Sequence, residues 1–290
     1  MNIAILSRGE ALYSTKSLLS AGEARNHTME VIDPSYCNLA IENGKAVLYF
    51  QDELVDDVHA VIPRIGASNT YFGTNVVRHF EAMGVFTVGS SEGIKYSRDK
   101  WTSFQILAKN QIPVPRTLYA SFYGFEEQLK TFKGKPIIIK LLEGTHGEGV
   151  ILSESPQNAL ATIETLNAAG VKFILQEYIE EANGADLRAI VVDGVVIAAM
   201  KRKCKIGDFR SNLHRGGTSE IIELTSAEEK TAIKAAKAMG LGFCGVDILQ
   251  SKNGPLVLEI NSTPGLEGIE HTSGKNVSKS VIGYIERNKK

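Results

Sequence analysis

The sequence predicts a mixed α/β and α+β chain built in three parts, and three observations carry that reading. Residues 1–95 alternate short apolar runs with helix-length stretches, the rhythm of a small parallel βαβ sheet. An apolar run holding one lysine, residues 136–142, leads straight into three glycines within seven residues. Near the C-terminus Asp247, Glu259 and Asn261 interrupt two otherwise apolar runs, residues 246–249 and 256–260. The expected units are residues 1–95, 96–184 and 185–290.

Composition bounds the function before any motif does. At 290 residues the chain can bury one large core or two to three small ones. A hydrophobic content of 43% with 22% charged residues is ordinary for a globular protein. The net charge of −1 advertises neither a nucleic acid nor a membrane partner. Cys37, Cys204 and Cys244 are odd in number and far apart, which fits reduced thiols better than disulfides or a zinc site. The first apolar run is too short for a signal peptide and reads as a strand, and no run reaches membrane-spanning length. The expected location is the cytoplasm.

In the first part, strands are expected at 3–6, 29–32, 60–62 and 86–88, with helices at 11–25 and 69–83. No G-x-G-x-x-G follows the first strand, so a dinucleotide site is not expected. Arg8 and Arg64 each stand just past a strand, where ligands of open α/β sheets collect. Asp99 reads as the cap of a helix over 100–109, which ends before Pro113 and Pro115. Lys100, in the first turn, opposes the helix dipole, and an anion held nearby would explain it.

Lys140 lies inside the strand at 136–142, and an ammonium in a buried strand calls for an anion. The glycine-rich hairpin that follows, with Gly144, Gly147 and Gly149, has bare backbone N–H groups that can close over phosphates. It is not a Walker A loop. Strands are expected at 173–179, 186–192 and 195–200, the last two joined at Asp193-Gly194. Asp186 and Arg188 share a face, and an internal ion pair and a ligand role both stay open. A basic stretch runs from Lys201 to Gly217, and its Arg210-Ser211-Asn212 suits phosphate oxygens. Only Phe209 is available there for base stacking, so direct nucleic-acid binding is not expected. A Thr225–Glu228 capping box starts a helix that stops at Gly240, and a last helix is expected over 274–287.

The two apolar runs of the third part read as a β-hairpin. Glu259 and Asn261 point to one face, and Asp247 joins them only if it lies opposite Glu259. That pairing requires an odd loop such as 252–254, and a two-residue Asn253-Gly254 turn would set Asp247 against Ile260. The odd loop is expected. Two carboxylates and an amide, with no imidazole or thiolate nearby, suit Mg²⁺ or Mn²⁺ rather than zinc.

Lys100, Lys140, the glycine-rich hairpin, Gln176-Glu177-Tyr178-Ile179, Asp186-Leu187-Arg188, Arg210-Ser211-Asn212 and Asp247…Glu259-Ile260-Asn261, in that order over about 190 residues, resemble the ATP-grasp superfamily. Pro63-Arg64-Ile65-Gly66, residues 207–217 and residues 261–270 resemble, more narrowly, the α-L-glutamate ligases that extend the C-terminus of small-subunit ribosomal protein six. Thr263 departs from the alanine or serine expected there. The resemblance implies an ATP-grasp fold behind a Rossmann-like pre-ATP-grasp domain, with ATP held between two α+β units. It implies Lys100 and Lys140 on phosphates, backbone contacts from Glu177 and Tyr178 to adenine, Asp186 near the ribose, and Arg210, Ser211 and Asn212 completing the phosphate cage. Asp247, Glu259 and Asn261 would hold one or two Mg²⁺ or Mn²⁺ ions. Arg202 and Arg210 are the expected stabilisers of the transfer, so that Arg202→Ala would spare ATP binding and cut ligation. The implied reaction joins L-glutamate to an acidic protein terminus. The alternative is a small-molecule cofactor, a dipeptide or an oligoglutamate product. A homo-oligomer, a tetramer, is the expected assembly.

Overall fold

The first unit runs β1 (Asn2–Leu6), α1 (Tyr13–Glu23), β2 (Thr28–Ile32), β3 (Cys37–Glu42), β4 (Lys45–Phe50), β5 (Glu53–Leu54), β6 (Ala60–Pro63), α2 (Thr70–Ala82) and β7 (Phe86–Thr87). The computed structural model describes residues 1–119, 124–142, 149–205, 209–211 and 216–289. β2-β1-β6-β7 form a parallel sheet. β1 and β6 are apolar and buried almost throughout, as parallel strands covered on both faces must be.

Residues 37–54, where the sequence predicts no element, form an antiparallel meander, β3-β4-β5. Its two turns, Asn43-Gly44 and Gln51-Asp52, have positive φ at both residues, the geometry that matches the twist of two-residue hairpins. Leu48 of the meander packs into the core with Val76, Val77 and Phe80 of α2.

Two capped helices lead out of this unit. Ser90 caps α3 (Ser91–Arg98), a helix beyond those expected from the sequence. Asp99 caps α4 (Lys100–Lys109), accepting from the N–H groups of Trp101 and Thr102 at 3.0 Å each.

The second unit is β8 (Thr117–Leu118), α5 (Phe125–Lys130), β9 (Ile137–Leu141), β10 (Val150–Ser153), α6 (Pro156–Ala168) and β11 (Phe173–Glu177). Its antiparallel sheet, β10-β9-β11-β8, closes on a separate core that includes Phe125, Ile137, Ile163 and Phe173.

The third unit is β12 (Ala185–Val192), β13 (Val195–Lys203), β14 (Thr218–Ile221), α7 (Ser226–Ala238), β15 (Phe243–Ser251), β16 (Gly254–Asn261), α8 (Glu267–Ser273) and α9 (Val277–Asn288). The single helix expected over 274–287 is thus preceded by a second, and Gly274 at φ 66° ends the first of them. The sheet order is β14-β13-β12-β15-β16. One face packs Leu187, Ala189, Val246 and Ile248 with Ala232, Ala235 and Ala236 of α7. The other carries Ile190, Val192 and Phe243 into a core shared with α8, α9 and Ile3, Ile5 and Leu18 of the first unit. Because side chains alternate, the far end of that same face presents Asp186, Arg188, Arg202, Asp247 and Glu259. One sheet face therefore ends a core and begins a site.

Candidate active site

Asp247 does lie opposite Glu259, but not by the expected loop. The hairpin tip is the two-residue Lys252-Asn253, with Ser251 paired to Gly254. Continued regularly, that register would set Asp247 against Leu258. A β-bulge between Ile248 and Asp247 takes Leu258 out of the ladder, so Glu259 moves into place and Gly245 faces Asn261. The bulge also turns Val257 toward the core while Glu259 faces the site.

Arginines hold the floor of the site. Arg188, opposite Asp247 on β12, donates from Nε to Oδ1 at 2.7 Å and from Nη2 to Oδ2 at 2.6 Å. Arg202, opposite Asp186, donates from Nε to Asp186 Oδ1 at 2.8 Å and from Nη2 to both Asp186 Oδ2 and, at 2.7 Å, Asp247 Oδ2. Asp186, Asp247 and Arg202 are buried. Burial alone would raise the Asp247 carboxyl, but Arg188 and Arg202 outweigh it and hold it well below the usual carboxylate range. Burial lowers Arg202, and the charges of Asp247 and Asp186 more than reverse this, so it stays protonated.

Glu259 differs, because its side chain reaches water from within a cleft. Crowding by protein and then the charge of Asp247 raise its carboxyl, against Arg188 and Lys140. Asn261 Oδ1 accepts from the Thr263 N–H at 2.9 Å, which turns the chain after β16. Gly245 makes room for that turn: a Cβ there would lie 3.1 Å from Pro264 Cβ.

Lys100 and Lys140 face this acidic set. The Lys100 ammonium donates to the Leu142 carbonyl at 3.0 Å, tying α4 to the end of β9. Desolvation lowers both lysines while Glu259 opposes it. Lys140, which also feels Lys100, comes down to about 8. Cations on one side and carboxylates on the other make a cleft that attracts a polyanion together with a divalent cation.

The remaining expected residues divide. Gly149 closes the base of its hairpin at φ 68°, its carbonyl accepting from Leu141 N–H at 2.8 Å, and a Cβ would lie 2.8 Å from the Leu141 side chain. Gly144, Gly147 and Asn212 lie outside the described residues. The Glu177 and Tyr178 N–H groups donate to the carbonyls of Arg116 and Pro136 at 2.8 and 3.3 Å, so the sheet already uses those donors. The Arg210 guanidinium lies over the Phe209 ring at 5.2 Å, and Ser211 is half-buried beside it in sequence.

Asp186 and Arg188 take the ion-pair option, each with a partner across the strand rather than with each other. Arg98 was not singled out from sequence. Its Nη2 donates to the Ile65 carbonyl at 2.8 Å, a contact that no periodicity announces.

Two carboxylates and an amide oxygen fit a hard cation that completes its shell with phosphate oxygens and water. Among the described residues no group of three or more His, Cys, Asp or Glu side chains could hold a metal unaided. Among them, too, no helix is long and apolar enough to cross a membrane.

Family comparisons agree with this geometry. Residues 1–94 match the RimK PreATP-grasp domain and residues 97–285 the RimK-like ATP-grasp domain. A "probable alpha-L-glutamate ligase" of Vibrio atlanticus is 52% identical over 100% of this chain and 97% of its own length. One from Halorhodospira halophila is 46% identical over 100% and 96%. Among solved structures, the ATP-grasp ligase PsnB complexed with minimal precursor superposes with a TM-score of 0.78 at 21% identity, covering 99% of this chain and 98% of its own. The ATP complex of D-alanine–D-alanine ligase from Bacillus anthracis superposes at 0.70 and 16% identity, covering 100% and 97%. By its two matched domains and its full-length relatives, the chain belongs to the RimK-like ATP-grasp family, and it is an ATP-dependent carboxylate–amine ligase.

Proposed function

We propose that the chain joins L-glutamate to the carboxylate of an acidic acceptor, with ATP as the activating co-substrate. The observation that carries this is the cleft in which Lys100 and Lys140 confront Asp247 and Glu259. The printed names of the full-length relatives support glutamate as the amino acid.

A carboxylate is a poor electrophile and must be activated first. An acceptor carboxylate oxygen attacks the γ-phosphorus, the bond to the β-phosphate oxygen breaks, and an acylphosphate and ADP result. The glutamate amine then attacks the acyl carbon, phosphate leaves with the bonding pair, and the nitrogen loses a proton as the amide forms. One or two Mg²⁺ or Mn²⁺ ions held by Asp247, Glu259 and Asn261 would neutralise the phosphate oxygens. Lys100 and Lys140 orient the phosphates, with Gly149 at the base of the lid hairpin and Ser211 beside Arg210 on the cage. The Glu177-Tyr178 segment borders the adenine through its carbonyls. Arg202 was expected to touch the transferring group, but it is buried behind Asp247, so in this reading it acts through that carboxylate. Asp186 likewise serves by holding Arg202 rather than by reaching the ribose. Arg210 keeps the role of stabilising the tetrahedral intermediate.

The favoured acceptor is the C-terminus of ribosomal protein six, with a small-molecule acceptor or glutamate itself as the second reading. A cytoplasmic homo-tetramer completes the proposal. The test is phosphate release from ATP and Mg²⁺ with L-glutamate, with and without that C-terminal peptide, followed by mass spectrometry of the peptide. Added glutamyl masses are expected. Phosphate release with an unmodified peptide moves the acceptor to small molecules, and no release in either arm removes the ligase reading.

A further inference from the structure

Among the described residues, three buried side-chain polar atoms lack a hydrogen-bond partner: Arg64 Nη1, Arg98 Nε and Ser262 Oγ. All three belong to one junction. Arg64 follows β6 and donates from Nη2 to the Pro264 carbonyl at 2.8 Å. Arg98 ends α3 and donates to the carbonyl of Ile65, the residue after Arg64. Thr263 Oγ1 donates to that same carbonyl at 3.2 Å, so the turn after Asn261 closes the junction from the metal side. Buried donors left unmade are rare, and three at one place mark a missing acceptor.

We infer that Arg64 and Arg98 form a clamp for a carboxylate of one of the two acidic substrates, an inference that rests on the ligase reading. A guanidinium presents a planar fork that matches a carboxylate, and each of these has one hydrogen bond to a backbone carbonyl fixing its plane. Neither arginine forms an ion pair among the described residues. Thr263, which closes the junction, also donates its N–H to Asn261 Oδ1, so the junction adjoins the residues expected to hold the metal. Burial and the neighbouring Arg98 bring Arg64 down to about 10, a penalty that a bound anion would relieve. A small cavity lined by Ser7, Arg8, Arg64 and Gly66 adjoins the junction, so a third arginine borders it.

Two substrates carry the required group, the incoming amino acid and the acceptor. Equilibrium binding of L-glutamate and of an α-linked tetraglutamate peptide separates them. Each is titrated into the full chain loaded with Mg²⁺ and a non-hydrolysable ATP analogue, comparing wild type with Arg64→Met, Arg98→Met and lysine at each position. We expect at least about a tenfold loss for one probe in both methionine variants, with analogue affinity held within about twofold. A loss confined to L-glutamate assigns the clamp to the amino acid, and one confined to the peptide assigns it to the acceptor. Wild-type affinity for both probes in both variants overturns the clamp, as does a wild type that binds neither. If a methionine variant no longer folds, the lysine variants decide, since they keep the charge and lose the fork: unchanged affinity for both probes overturns it. Glutamyl transfer is assayed on the same wild-type preparation. Probe binding that the arginines control, without transfer, removes the ligase reading and leaves the carboxylate site; transfer with unaltered variants does the reverse.

Discussion

Asp247 accepts three hydrogen bonds from two arginines before any ligand is considered, and this shifts the expected cost of touching its neighbours. From sequence, Arg202→Ala was expected to spare nucleotide binding and cut only the chemistry. Its burial between Asp186 and Asp247 argues otherwise, because removal leaves the buried Asp186 without its counter-charge and Asp247 with Arg188 alone. Urea unfolding is expected to show a loss of about 3–5 kcal/mol, the usual result of breaking a buried pair. A variant as stable as wild type would refute that role.

Lys140 supplies two opposite slopes. Its folded pKa of about 8 lies below the 10.5 of a free lysine, so the unfolded chain holds the proton more tightly between those values. Its contribution to stability is therefore lowest below pH 8 and recovers as pH rises from about 8 to 10.5. Nucleotide affinity should fall over the same range as the ammonium is lost. In Lys140→Met both slopes should flatten, with ATP binding weakened and the melting temperature at pH 7 raised, as titration calorimetry and scanning calorimetry would show. At this scale the residue types were legible, because charges inside apolar strands stand out. The pairings were not. Nothing in the order of the chain joins Asp186 to Arg202 rather than to Arg188, since that choice is made by strand register.

Among the elements, helices with explicit caps were read most closely. α4 begins and ends where Asp99 and the residues before Pro113 predict, and α7 starts at the Thr225 capping box, both of whose hydrogen bonds form. Thr225→Ala should cost about 1 kcal/mol, seen as a small drop in melting temperature with glutamyl transfer unchanged. A larger loss would mean that the cap also supports Gln250, which donates to Glu228 at 2.8 Å. The β3-β5 meander was missed although Asn43-Gly44 is a strong hairpin signal. Its companion turn, Gln51-Asp52, carries no glycine, and the run between them is only six residues. The bulge at Leu258 could not be read at all, because an apolar residue leaving a ladder looks like any other apolar residue in a strand.

Across the whole molecule, the first and third units share a core while the second closes on its own. α1 and α9 lie together in the shared layer, and their ends are fastened by Glu286, which binds Arg25 through two hydrogen bonds and His27 at 2.9 Å. Arg25, and then His27, pull the Glu286 carboxyl down to about 2, below its ordinary 4.5. The fastening is thus complete above pH 4.5 and is lost as pH falls from there toward 2. Glu286→Gln should flatten the acid limb of a melting-temperature profile, modestly, since the partners are partly exposed. An unchanged limb would show that the layer holds without it. The three-part division suggested by sequence hid this sharing, which arises only when the last helix returns to the first. An engineer wishing to retarget the enzyme by exchanging its first 94 residues for those of a sister ligase would therefore be transplanting half of a layer. The graft has to bring α9 with it, or recut the seam between α1 and α9, before any question of altered specificity can be asked.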